Sequence, residues 1–150
     1  MARWDEFEAA APDLAAFGAR LLLTPPAYIA TVRDSGVPRV HPVTPIIGDG
    51  CLFVFMEPAS PKGRDLDTRG SYAMHNGVPD INGTGGEFWL SGRASHVSDG
   101  ALRAAAASAA SYDPAERYIL FELDVAEARC NGYGDVELPA NRRWRATAKG

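Results

Sequence analysis

Cysteine is scarce: Cys51 and Cys130 are the only two in 150 residues. They lie far apart and form no C-x-x-C, so no disulfide framework is expected and a reducing, cytoplasmic compartment is the default. The three histidines form no H-x-x-x-H or H-E-x-x-H pair, which gives a metal site little support. The chain has no phosphate-binding P-loop, no dinucleotide G-x-G-x-x-G and no G-x-S-x-G nucleophile elbow. Asp80-Ile81-Asn82-Gly83-Thr84-Gly85 starts like a calcium loop, but Ser91 stands where the closing carboxylate belongs. Long apolar runs are missing too. Leu21-Leu22-Leu23 is far shorter than the roughly 20 residues needed to span a bilayer, and Met1-Ala2-Arg3-Trp4-Asp5-Glu6 carries no apolar signal core. No membrane association is expected. A basic excess is also absent: 15 Lys and Arg face 19 Asp and Glu, net −4, which disfavours nucleic-acid binding.

What is present fits one ordinary domain over residues 1–150, with residues 1–26 as an N-terminal helical segment. Trp4 and Phe7, three apart among acids, predict a short amphipathic helix over Arg3–Ala10. Pro12 and Asp13 open a second helix whose apolar face carries Leu14, Phe17 and Leu21, and which Thr24-Pro25-Pro26 ends. The period then changes. Ala27–Arg33 is β-branched and aromatic and predicts a strand. After the Asp34-Ser35-Gly36 turn, Val37–Ile47 predicts a second strand; its Pro38, Pro42 and Pro45 cannot donate to a ladder, so it belongs at an edge or facing a ligand. A tight Gly48-Asp49-Gly50 hairpin leads to Cys51–Met56, apolar throughout and expected to be buried on both faces.

Ser60 as N-cap and Pro61 at the first helical position open a helix running to about Arg69, with Gly70 as its cap. Further strands are predicted over Ser71–His75, Glu87–Val97 and Arg117–Val125. Asn76–Gly86 is a glycine-rich loop, and an alanine-rich helix capped by Ser98-Asp99 runs to about Ala110. Six or seven strands, three or four helices and no regular β-helix-β alternation predict an α+β protein on an antiparallel sheet or barrel.

Three features carry possible chemistry. Lys62 falls in the first turn of its helix, where a cation opposes the helix dipole; an anion bridging the free backbone N–H groups, Lys62 and Arg64 would reverse that, and solvated surface charge is the plain alternative. Arg39 and His41 alternate on one face of the proline-rich strand, opposite Val40, Pro42 and Thr44. A histidine satisfied by a neighbouring carbonyl and an edge-strand charge are the plain alternatives there. Trp144 among Arg142, Arg143 and Arg145 is either a stacking and anion-binding cluster or a strand end with a half-buried indole.

The order of these pieces is more specific than any one of them. Tyr28-Ile29-Ala30-Thr31-Val32-Arg33-Asp34-Ser35-Gly36-Val37-Pro38-Arg39-Val40-His41-Pro42-Val43, then Leu52-Phe53-Val54-Phe55-Met56, then Ser60-Pro61-Lys62, then Phe88-Trp89-Leu90-Ser91-Gly92-Arg93-Ala94 resembles the pyridoxamine 5′-phosphate oxidase-like flavin-binding split-barrel family, with a weaker echo at Trp144-Arg145. The resemblance spans roughly Ala27–Val97. It implies a split-barrel homodimer with FMN at the dimer interface. Arg39, Val40, His41, Pro42, Val43 and Thr44 would line the ring and ribityl chain. Phe55 and Met56 would lie beside it, and Ser60, Lys62 and Arg64 would approach the phosphate. Glu87 stands where a glutamine often contacts the flavin, and Met56 where many members have a small hydroxyl residue. No counterpart is found of the residues that grip pyridoxal phosphate, so vitamin B6 synthesis is not assigned. The resemblance implies an FMN-dependent oxidoreductase acting on a small molecule. A deazaflavin-dependent reductase, or a non-catalytic flavin- or haem-binding sensor, would use the same fold. His41 is the only acid–base candidate.

Overall fold

A computed structural model describes residues 1–24 and 26–148. Its elements in order are α1 (Trp4–Ala10), α2 (Pro12–Leu22), β1 (Ala27–Val32), β2 (Pro38–Val43), β3 (Ile46–Gly48), β4 (Cys51–Met56), α3 (Pro61–Thr68), β5 (Ser71–Asn76), β6 (Glu87–His96), α4 (Gly100–Ala109), β7 (Ile119–Asn131) and β8 (Arg143–Arg145). Every strand pair is antiparallel. The chain is an α+β protein built on a split β-barrel. Pro25, expected to help end the second helix, lies outside the described residues.

The strand order is β2-β1-β5-β6-β7-β4-β3, with β8 added beside β7. The expected single strand over Val37–Ile47 is two. Thr44 and Pro45 interrupt it, because Pro45 has no N–H and biases Thr44 away from helical backbone. The two halves then go to opposite ends of the sheet order. The tight hairpin joins β3 to β4, with Asp49 at φ 50° and Gly50 at φ 74°, the backbone of a two-residue turn that follows strand twist. Only two residues separate β2 from β3, and three Cα steps reach at most about 11 Å. The sheet must therefore curl until its ends come together.

Two apolar cores follow from the curl. All six residues of β4 are buried. Leu52, Val54 and Met56 enter the main core with Ile29, Met74, Phe88, Leu90, Phe121 and Leu123, which α1 and α2 extend through Trp4, Phe7, Leu14 and Phe17. Cys51, Phe53 and Phe55 point the other way, into a second core with Ile46 and Leu120 under Ala106 of α4. Burying one such phenylalanine contributes roughly 1.5–3 kcal/mol. Glycine at position 48 suits this cover, since a Cβ there would lie 2.7 Å from the Ala109 Cβ.

β7 runs on to Asn131, six residues past the expected end at Val125; Ala126-Glu127-Ala128-Arg129 has weak strand propensity and is held by pairing with β6 and β8. Opposite Ser91 and Gly92 the β6–β7 register shifts, so that Ser91 faces Glu127 and Gly92 faces Val125. A bulge of this kind bends and twists the strand. A Cβ on Gly92 would sit 1.9 Å from the Asp124 carbonyl oxygen.

A buried carboxylate fixes the sheet's β2 edge. Asp65 of α3 accepts a 2.7 Å hydrogen bond from the Thr31 hydroxyl of β1 and a 3.0 Å bond from Arg39 Nε of β2, and lies 3.6 Å from Arg69 Nη2. Arg69 also donates to the Val32 carbonyl at 2.7 Å and pairs with Asp34. Burial alone would raise the Asp65 carboxyl. The hydrogen bonds from Thr31 and Arg39 and the two guanidinium charges outweigh it and hold the group below its ordinary value of 3.8.

Two outcomes are expected. Gly92→Ala should destabilise the fold by about 2 kcal/mol or more, read as a lowered urea midpoint, because the obstruction is backbone that cannot rotate away. A carboxyl whose folded-state value is depressed stabilises above its unfolded value and loses that contribution as pH falls through the folded one. Wild-type stability should therefore fall below about pH 4, and Asp65→Asn should lower the neutral-pH midpoint and flatten that acid limb.

Candidate functional site

The candidate site is built on the edge strand β2 and the start of α3. Because β2 pairs only with β1, one side of its backbone is free of the ladder. Along it Arg39 and His41 are half-buried and Val43 is buried, while Pro38, Val40 and Pro42 are exposed. Thr44 is half-buried in the link to β3.

His41 lies inside this edge. Its Nε2 is buried and has no hydrogen-bond partner among the described residues. Burial, and then the positive charges of Lys62 and Arg39, push the imidazole below its ordinary value, so it is neutral at pH 7. Lys62 is half-buried and has no hydrogen bond or acidic partner among the described residues.

Ser60 is the N-cap of α3. Its hydroxyl accepts from the Gly63 N–H at 3.1 Å and donates to the Glu57 carbonyl at 2.7 Å. The turn leaves no room for a side chain at Gly63, whose Cβ would lie 2.9 Å from that carbonyl. Arg64 is exposed and donates to the Ala59 carbonyl at 2.9 Å. Beside it a cleft of about 570 Å³ is lined by Arg33, Asp34, Arg39, Arg64, Asp65 and Arg69 among others. Arg39 and Arg69 are engaged by Asp65 there, which leaves Lys62, Arg64 and Arg33 without an acidic partner among the described residues.

The structure brings Arg39, His41, Ser60, Lys62 and Arg64 together and sets the other expected residues apart. The Phe55 side chain is in the second core under Arg103, whose guanidinium carbon is 5.1 Å from the ring centroid. Met56 is in the main core. Glu87 opens β6, 4.0 Å from His75 Nε2. Trp144 is half-buried against Phe7, with ring centroids 5.0 Å apart. That is the strand-end alternative for its indole.

Sequence reading missed Asp65 and Arg69, whose only signal was an acid–base pair four apart on α3. It also missed a cross-strand row on the outer face of the sheet. Pro42, Tyr28, His75, Trp89, Arg129 and Arg143 are successive neighbours across β2, β1, β5, β6, β7 and β8. Beside them run Val40, Ala30, Ala73 and Ser91. Tyr28 is 44% exposed and Val40 63%. No helix of the described residues is long and apolar enough to cross a membrane.

No protein-family model matches the chain, and no curated protein matches it in sequence. Solved structures do. A haem-binding protein from Mycobacterium smegmatis superposes with a TM-score of 0.65 at 21% identity over 88% of this chain. This chain spans only 57% of that protein's length. A NimC/NimA family protein from Clostridium acetobutylicum gives 0.66 at 13% identity, covering 82% of this chain and 87% of its own. HutZ, the haem storage protein of Vibrio cholerae, gives 0.62 at 15% identity, covering 82% and 95%. At such identities the likeness is one of fold: the chain shares the split barrel of these proteins.

Proposed function

We propose that this chain binds FMN along β2 and the start of α3, as a homodimer, and serves as a flavin-dependent oxidoreductase on a small molecule. One observation carries the reading. Lys62, half-buried in the first turn of α3 with no acidic partner among the described residues, stands beside a neutral His41 whose buried Nε2 lacks a partner. A cation at a helix start is unfavourable by a few tenths of a kcal/mol. A phosphate there would turn Lys62, Arg64 and the free Lys62 N–H into matched donors and offer His41 a charge to face.

Bound FMN would supply hydride or electron chemistry; the protein holds and tunes it. The open edge of β2, from Arg39 to Thr44, would follow the ribityl chain and ring. The end of β4 at Phe55 and Met56 would approach through backbone, since both side chains are buried. Glu87 stands on a strand remote from β2 in the sheet order, so a second copy would bring it to the ligand, while the Trp144 indole stays packed against Phe7. The β2 end of the outer row, with Tyr28 and Val40 exposed, is the surface a two-fold partner would cover, because apolar side chains are otherwise left in water there.

A haem reading is the second. It is favoured by the haem-binding and haem-storage proteins among the similar structures and by the unpartnered imidazole nitrogen of His41, since neutral imidazole is a haem ligand.

The visible spectrum of protein purified without added cofactor separates these. A yellow protein that releases FMN on denaturation supports the first reading, and a Soret band lost in His41→Ala supports the second. A colourless protein that binds added deazaflavin but not FMN would move the cofactor and keep the phosphate site. Lys62→Glu should weaken FMN binding at least about tenfold, the equivalent of a charged hydrogen bond; unchanged affinity would take the phosphate away from α3. His41 offers an independent readout. Its NMR titration in the free protein should fall below 6.5 and move up when a phosphate dianion binds, because a nearby negative charge favours imidazolium.

A further inference from the structure

At the far end of the outer row from β2, Trp89, Arg129, Arg142, Arg143 and Glu87 surround a cleft of about 400 Å³, with Cys130 and Asn131 completing its wall. Three guanidinium groups face one carboxylate. Neither Arg142 nor Arg143 has an acidic partner among the described residues, and Arg129 reaches Glu127 only at 4.0 Å. Glu87 is turned to His75, 4.0 Å away.

The backbone that carries the arginines is fixed. The Cys130 N–H donates to the Arg142 carbonyl at 3.0 Å, the Arg143 N–H donates to the Asn141 side chain at 3.2 Å, and Arg143 pairs with Arg129 across β7 and β8. Like charges placed opposite each other on a sheet are destabilising, and here only Glu127, 4.0 Å from Arg129, offsets them. The aromatic wall is Trp89, half-buried, with the Arg129 guanidinium carbon 5.4 Å from its ring centroid. Burial pushes the Cys130 thiol up, only partly countered by Arg142, so no thiolate adds negative charge to the cleft. The arginine cluster at Arg142-Arg143 is thus served by Trp89, while its sequence neighbour Trp144 is turned into the core against Phe7.

We propose that this cleft binds a planar organic carboxylate, its ring against the Trp89 indole and its carboxylate held by Arg142 and Arg143. The fork of a guanidinium matches a carboxylate in two parallel bonds, and an indole takes a flat ring on its face. Under the flavin reading, which this assignment of the substrate class rests on, such an anion is the small molecule acted upon; binding itself needs no flavin and is tested without it.

Salicylate is the probe, with cyclohexanecarboxylate as a non-planar anion and inorganic phosphate as an anion without a ring. Binding is followed on cofactor-free protein by the Trp89 indole N–H resonance, assigned with Trp89→Phe. Salicylate should give a saturable shift at Trp89, Cys130 and Asn131, with both controls at least about tenfold weaker. The double variant Arg142→Gln, Arg143→Gln, altered only at exposed positions, should lose about tenfold or more. Lys62→Glu should leave salicylate affinity unchanged while FMN affinity falls. Absence of a saturable shift at Trp89, full affinity in the double arginine variant, or equal binding of the non-planar acid overturns the proposal. So does loss of salicylate binding in Lys62→Glu, which would place the anion at α3. FMN titration of the same variants is read separately, so failure of the anion site is distinguishable from failure of the flavin reading.

Discussion

Asp65 is the interaction on which this architecture turns. One carboxylate, almost wholly removed from water, is reached from three elements: the Thr31 hydroxyl of β1, the Arg39 guanidinium of β2 and Arg69 at the end of α3. A buried charge without partners is costly, and removing one partner of such a set leaves the rest uncompensated. The set is complete here, and it locks α3 across the outermost hairpin. The helix start that carries Lys62 is held at the β2 edge for that reason. Arg39, expected to line the ring and ribityl chain, becomes part of the frame and a source of field at His41 rather than a free cation.

The consequence is a division of labour among neighbouring basic groups. Arg39 and Arg69 are neutralised by Asp65 and Asp34; Lys62, Arg64 and Arg33 are not. His41 sits between frame and free charge, neutral because burial and two cations leave no room for a third. At the opposite end of the outer sheet face the arginines of β8 and its approach repeat the pattern with an indole in place of a helix start. A chain of net charge −4 thus concentrates unbalanced positive charge at two separate places on one sheet.

Much of the fold was legible because local chemistry and global placement agree. The Ser60-Pro61 start, the Asp99 cap, the Asp49-Gly50 turn and the uniformly apolar β4 each stand where their residues demand. Where reading failed, the deciding information was distant. Nothing in Val37–Ile47 says that its two halves pair at opposite edges. The last six residues of β7 are strand only because β6 and β8 flank them, and the loss of Thr44 and Pro45 from the ladder is what allows the sheet to close. For the site, residue types at the helix start were readable. The three-dimensional accounting that gives Arg39 to Asp65, hides Phe55 and Met56, and gathers Tyr28, Val40 and Trp89 onto one face was not, because it depends on register across strands far apart in the chain.

The two-residue link at Thr44–Pro45 also governs how the protein can fold. The hairpins β1–β2 and β3–β4 are local and can form early. The pairings that turn them into one sheet are not local: Ala27 must find Asn76, and Phe53 must find Glu122. Until those long loops close, two finished hairpins are tethered at their open ends with their outer edges unsatisfied. Such topologies belong to the slow end of single-domain folding, since loop entropy is lost before the distant contacts are gained. The prolines of β2 acquire a second meaning in that interval. A strand that waits for its partners is least able to recruit a neighbouring chain when it cannot offer a continuous row of N–H groups.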